Sequence, residues 1–467
     1  MLLVIASLAS LCVFFPEDGI AFFRVRLFFP TFKELFVREE SHFSVEKMQE
    51  LEESLRIQHL EDSLHDVRTA ARNDSLRFYQ NLFATHPARF YLPNDDLTFF
   101  DSLFVSLENC RRDSSIVHIL HYGDSQIEED RITGYLRQQL QVRFGGIGAG
   151  LLPVIQPIPS AAIGQTATED MQRFIIAGLH RNSAGHNRYG ILGQMARVNG
   201  SGRVSFSARN YGRTFENTKR WKTVRLFVNN NVGKFSATLS ATNYRATQTI
   251  ENGQKTPSVL TWNLGDSVKN VSISLSGNAE LSGVALDGDL GVAIDNIPIR
   301  GSTGTHFTAI DTTAFAFAMR ELNVKLILLE FGGNMMTGIS SEKQIERYVG
   351  NLAKQIQHFQ QIKPDAKIVL IGPADMSKKV RGKLQTYPYL DVLVEAMKTT
   401  AMDNGAAFWD MYGVMGGHNS MLDWVDSKPS LAAPDYIHFT PRGANRIAKI
   451  LYESFENYYE YYKLTRE

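Results

Sequence analysis

Gly123-Asp124-Ser125 follows directly on the apolar run 115–122 (SIVHILHY), and the carboxyl ends of strands are where open α/β sheets place their ligands. A serine at a strand-to-helix turn can aim its oxygen into a cleft while its own N–H faces the same place, and the preceding glycine permits the tight turn. An isolated Gly-Asp-Ser is more often a plain turn in which Asp or Ser caps the next helix, so the other segments must decide. Asp435-Tyr436-Ile437-His438 sets a carboxylate and an imidazole three residues apart, in a loop before a helix with Thr440 as N-cap and Pro441 at its first position. The carboxylate could orient the ring, and the ring could take the proton of Ser125; these are the parts that nucleophilic acyl transfer needs. Asn334, in Gly332-Gly333-Asn334, follows another apolar run and could bring an amide beside the nucleophile as an oxyanion donor. Gly301, closing GVAIDNIPIRG, offers a backbone N–H that no side chain obstructs, and it reads equally well as a turn glycine.

The elements that would position these groups are legible as patterns. Runs at 115–122, 324–331 (VKLILLEF), 366–371 (AKIVLI) and 406–409 (AAFW) alternate with helical stretches, one marked by Ile345, Val349, Leu352, Ile356 and Phe359. Such runs, apolar on both faces, predict an α/β fold whose parallel strands are covered by helices on both sides. From about 200 to 300 the period changes to two: Val204, Phe206 and Ala208, then Val224, Leu226 and Val228, then Val271, Ile273 and Leu275 alternate with polar residues. Turn signals at Asn199-Gly200, Asn252-Gly253 and Asp287-Gly288 separate them, which predicts an inserted antiparallel β-sandwich or jelly roll. The division expected is a signal or anchor segment (1–23), a helical linker or stalk (24–100), the first part of the α/β domain (101–175), the sandwich (176–290) and the second part (291–467).

Residues 1–15 (MLLVIASLASLCVFF) are apolar or small, closed by Pro16. About 20 apolar residues are wanted for a full span, so the run fits a signal-peptide core or a short anchor and predicts an exported, envelope-facing protein, with a membrane tether through the N-terminus left open. Residues 37–85 are charged, with Met48, Leu51 and Leu55 at helical spacing, as in a stalk. Lys+Arg and Asp+Glu both number 49, so net charge gives no reason to expect a nucleic-acid partner. Cys12 and Cys110 form no metal-ligating spacing and no disulfide framework.

Taken together, these residues resemble the SGNH/GDSL hydrolases, over roughly 115–155 and 290–460. The resemblance makes Ser125 in HYGDSQIEEDRIT the nucleophile, Gly301 and Asn334 oxyanion donors with the N–H of Ser125, and Asp435 with His438 the remaining pair. Gln126 stands where the lipase-type motif has Leu, and Met335 follows Asn334 where many members have Asp. The resemblance implies a three-layer α/β/α, flavodoxin-like parallel sheet and a serine esterase without metal or organic cofactor. A sandwich inserted between nucleophile and oxyanion glycine is similar to the arrangement in peptidoglycan O-acetylesterases, which implies an acetylated glycan as substrate. A glycan O-acetyltransferase using the same site and a non-catalytic glycan-binding protein on the same scaffold are the alternatives. His118 and His121 read as structural, Asp410 as a second candidate partner for the histidine, and His306 and His418 as loop residues for which the sequence offers no argument for a partner. Trp221 and Trp262 read more readily as core than as a sugar-stacking surface.

Overall fold

In the computed structural model, which describes residues 1–16, 19–22, 25–30, 45–210 and 214–466, the predicted apolar runs are strands of one sheet. Its strands are β1 (Phe90–Tyr91), β2 (Ile116–Gly123), β3 (Gly291–Pro298), β4 (Val324–Glu330), β5 (Lys367–Ile371) and β6 (Ala407–Trp409), in the order β3-β2-β4-β5-β6-β1. The first five in that order run parallel, and β1 closes the edge antiparallel to β6.

Because successive side chains leave a strand on opposite faces, each run splits between two cores. Ile119, Ile294, Leu328 and Val369 pack with helices Asp101–Asn109, Thr133–Phe144 and Pro441–Arg466. Leu120, Leu329, Ile368 and Leu370 pack on the other face with Thr312–Glu321, Glu342–Ile362 and Leu390–Asp403. The three-layer α/β/α architecture follows from that split.

The antiparallel strands begin at Gly148, earlier than residue 176, and end at Asp287; among the described residues nine of them form one sheet. Strand Trp221–Ala241 pairs with Asn270–Asp287 along most of its length, and the inward members of each alternation enclose a separate core. Trp221 and Trp262 lie in that core, 0% and 1% exposed, so neither offers a face to a sugar. A buried polar joint ties this sheet to the parallel one. Asp295 of β3 accepts from Leu151 N at 2.6 Å and bonds His118 Nδ1 at 2.8 Å, while His118 Nε2 sits 2.8 Å from Arg225, which also bonds Asp287. His118 is structural, as its pattern indicated.

The chain divides into two compact units, Met1–Asp74 and Ser75–Glu467. Residues 75–100, which the sequence pattern assigned to the linker, belong to the second unit: Phe83 stacks on Tyr458 at 3.9 Å between ring centroids, and Phe90, Phe99 and Phe100 are buried. In the first unit Leu2–Phe14 is a helix of 13 residues, and helix Val45–Thr85 begins there. Residues 37–44 of the expected stalk and the side chains of Met48, Leu51 and Leu55 lie outside the described residues. No helix among the described residues is long and apolar enough to cross a membrane.

Candidate active site

β2 delivers Gly123 to the carboxyl edge of the sheet, and the chain turns there so that Asp124 caps the next turn, accepting from Gln126 N at 3.0 Å. Ser125 is thereby presented at the floor of a cavity of about 580 Å³ that also meets Gly301, Asn334 and His438. Ser125 Oγ lies 2.8 Å from His438 Nε2, across 313 residues of chain. His438 Nδ1 lies 2.7 Å from Asp435 Oδ2, and Asp435 Oδ1 accepts from the backbone N–H groups of Ile437 and His438 at 3.0 Å each. Burial works to raise the Asp435 carboxyl, but the His438 bond and the two backbone donors outweigh it and hold the group below its ordinary range. An ionised Asp435 accepting from Nδ1 leaves Nε2 with its lone pair toward Ser125, the tautomer a general base requires. Both side chains are partly exposed, so the pair contributes at most about 1 kcal/mol to stability; its weight is in orientation.

Asp410, the other candidate partner, instead caps its own helix through Gly413 N at 2.9 Å. His306 has a partner after all: it is buried with Nδ1 3.2 Å from Ser302 Oγ, and burial pulls its pKa down to about 4, so it is neutral. His418 is exposed. His121 bonds Glu330 at 3.1 Å and Thr133 at 2.9 Å, a structural arrangement.

Gly301 has φ +75°, and a Cβ there would meet Leu179 at 2.6 Å, so glycine is required by conformation as well as by space. Its neighbour Arg300 pairs through Nε with Glu128 Oε1 at 2.7 Å, and Glu128 is buried. Ile299 N bonds Gly123 O at 2.9 Å, which fixes the Gly301 loop against the turn that carries Ser125. Asn334 lines the cavity, but its amide is not free in this state. Nδ2 donates to Asp124 Oδ2 at 2.7 Å and to the Ser302 carbonyl at 3.2 Å. A reaction oxyanion would have to displace the Ser302 carbonyl, the longer of the two bonds.

Two residues to which the sequence reading gave no part in the chemistry hold the site together. Gln126 spans the gap to the histidine loop: its Nε2 donates to Ile437 O at 2.7 Å and its Oε1 accepts from Phe439 N at 3.4 Å, on either side of His438. Its only signal was a polar residue in the place of a leucine. Asp124 is buried, and that burial, with Glu330 nearby, lifts its pKa to about 7 against the bonds from Gln126 and Asn334. Its capping role was legible from its position before the turn; its hold on Asn334 was not.

Residues 254–446 match the model of the GDSL-like Lipase/Acylhydrolase family, a stretch that contains Gly301, Asn334, Asp435 and His438 but not Ser125. Among solved structures the fold is similar to that of a peptidoglycan O-acetylesterase, with a TM-score of 0.62 at 19% identity over 79% of this chain and 97% of that one. An acetyl xylan esterase (15% identity, 35% of this chain and 81% of that, TM-score 0.26) and a family two carbohydrate esterase from Cellvibrio japonicus (9%, 64% and 99%, 0.25) align too poorly to bear on the fold. No curated protein matches the chain.

Two outcomes are expected from the geometry. Gln126→Leu should lower kcat/KM for an aryl acetate about 10–100-fold while leaving Tm within a few degrees, because a small misplacement of the base is costly to the reaction and cheap to the fold; an unchanged rate would show that the clamp is idle. For Asp124 the native carboxyl holds its proton up to about pH 7 whereas the unfolded one releases it near 4, so wild-type stability falls as pH rises through that window. The difference in Tm between Asp124→Asn and wild type should therefore be more positive at pH 8 than at pH 5, and a pH-independent difference would contradict the raised pKa.

Proposed function

With a GDSL-like lipase/acylhydrolase domain, and hence an SGNH ester hydrolase, as the premise, we propose that the protein is a serine esterase of the cell envelope that removes O-acetyl groups from a glycan, peptidoglycan or another polysaccharide, through an acyl-Ser125 intermediate. The observation that carries this reading is the continuous hydrogen-bonded series Ser125–His438–Asp435 opening into a cavity.

In this reading His438 Nε2 takes the proton of Ser125 Oγ as the oxygen adds to the acetyl carbonyl. The N–H groups of Ser125 and Gly301 receive the developing oxyanion, joined by Asn334 once an amide hydrogen leaves the Ser302 carbonyl. His438 then returns the proton to the departing sugar oxygen, leaving acetyl-Ser125, and a water deprotonated by the same ring releases acetate. Hydrolysis rather than transfer is favoured by exposure: a third of the His438 side chain and nearly half of Asp435 are open to solvent, so water reaches the base freely. The acetylated glycan and the envelope location draw on the fold similarity to a peptidoglycan O-acetylesterase and on the apolar N-terminal helix.

Wild type should release free acetate from O-acetylated peptidoglycan fragments or an acetylated polysaccharide, and Ser125→Ala should lose at least about 10³-fold of that rate. Acetyl groups appearing on a sugar hydroxyl without free acetate would make the protein a transferase, and release that survives in Ser125→Ala would place the chemistry elsewhere.

A further inference from the structure

Beside the active-site cavity lies a second one of about 450 Å³, and Arg131 lines both, so the two adjoin at its side chain. We propose that this side cavity binds the glycan strand through a sugar that carries a carboxylate, the two guanidinium groups Arg131 and Arg442 receiving it. The proposal rests on the esterase reading for what occupies the neighbouring cavity, and names the class of glycan that reading leaves open.

The charges point to an anion. The other arginine lining the two cavities, Arg300, is committed, forking onto Glu128. Arg131 and Arg442, by contrast, make no side-chain hydrogen bond or ion pair among the described residues, although Arg131 is half-buried. A guanidinium fork presents paired N–H groups at the spacing of a carboxylate, and two uncommitted ones lining one cavity, Arg442 exposed and Arg131 half-buried, make an anionic ligand group the matching occupant. The lining also holds two carboxylates: Asp130, which is taken up by Arg137, and Glu129, which is exposed and suited to accepting from sugar hydroxyls.

The rest of the lining points to a sugar. Tyr135 and Phe215 meet edge to face, 6.5 Å between centroids at 71°, and both are half-buried with surface toward the cavity. Aromatic faces of this kind pack against the C–H face of a pyranose, and Asn445 and Thr214 supply amide and hydroxyl groups at the rim. A cluster of cations also lies next to the loop of Asp435 and His438. Strands Ser377–Val380 and Lys383–Thr386 form a hairpin that carries Lys378, Lys379, Arg381 and Lys383 without an acidic residue, and its first residue bonds through N to Tyr436 O at 3.0 Å, in the loop of Asp435 and His438. In a chain of zero formal net charge this is a local concentration of cations, although none of the four lines either cavity.

The test is binding to Ser125→Ala protein, which cannot turn the ligand over. The probes are a tetrasaccharide of alternating N-acetylglucosamine and N-acetylmuramic acid with free carboxylates, and the same tetrasaccharide with each carboxylate converted to its methyl amide. Calorimetry should find the carboxylate form bound at least about tenfold tighter, a preference that weakens with salt. Adding Arg442→Gln or Arg131→Gln should abolish most of the preference without altering the Tm of the protein by more than a few degrees. Equal binding of the two probes, including no measurable binding of either, or a preference that survives both substitutions, would overturn the proposal. Acetate release by wild type is read separately, so a failure here and a failure of the esterase reading leave different records.

Discussion

The bond between Gln126 and the backbone on either side of His438 is the constraint on which the site depends. Ser125 and His438 lie 313 residues apart in the chain, and hydrogen bonding between their side chains is too weak to gather them: an exposed or half-exposed pair is worth about 1 kcal/mol. A main-chain and side-chain frame brings them within 2.8 Å. Gln126 holds Ile437 and Phe439, Asp435 holds the N–H groups of Ile437 and His438, and Thr440 caps the helix that comes next, accepting from Gly443 N at 3.3 Å. Gly443 lets that helix approach so closely that a Cβ would lie 1.9 Å from Leu431 O. The histidine ring is thus carried by a loop fixed at both ends and is held between Asp435 and Ser125.

The same logic applies on the side of Gly301 and Asn334. Asp124 is costly, a carboxyl kept buried with a raised pKa, and its two oxygens set Gln126 N and the Asn334 amide. Glu128 plays the corresponding part for Arg300 and the Gly301 loop. Asp124 therefore reaches Asn334, Ser125 and Gln126 both reach residues 437–439, and Glu128 reaches Arg300, so the turn after β2 becomes the hub of the site.

Much of this architecture was legible in the sequence because its causes are local. The parallel strands announced themselves as apolar runs and the antiparallel ones as alternations of period two, and the cap at Thr440 stood where a helix start needs one. The pairing of Ser125 with His438 was reached through the positions of Gly-Asp-Ser and Asp-x-x-His at strand and helix ends. The features that escaped were long-range. Strands from Gly148 onward sit in a Gly- and Pro-rich stretch with little alternation, so the pattern places the start of the antiparallel sheet later than it is. Phe83, Phe90 and Phe100 looked like the end of a polar stalk until the C-terminal helix supplied Tyr458 to pack on them. Gln126 looked like a departure from a lipase motif because its partner atoms are backbone, which no residue pattern encodes.

The central claim is that the Ser125 hydroxyl is activated by His438 in this resting geometry, and the most direct measurement is the stoichiometry and position of labelling by a fluorophosphonate, read by peptide mass mapping. The account predicts one label per chain on the peptide containing Ser125, lost in His438→Gln protein that still folds. No label on wild type, or a label that persists at Ser125 without the histidine, would contradict it.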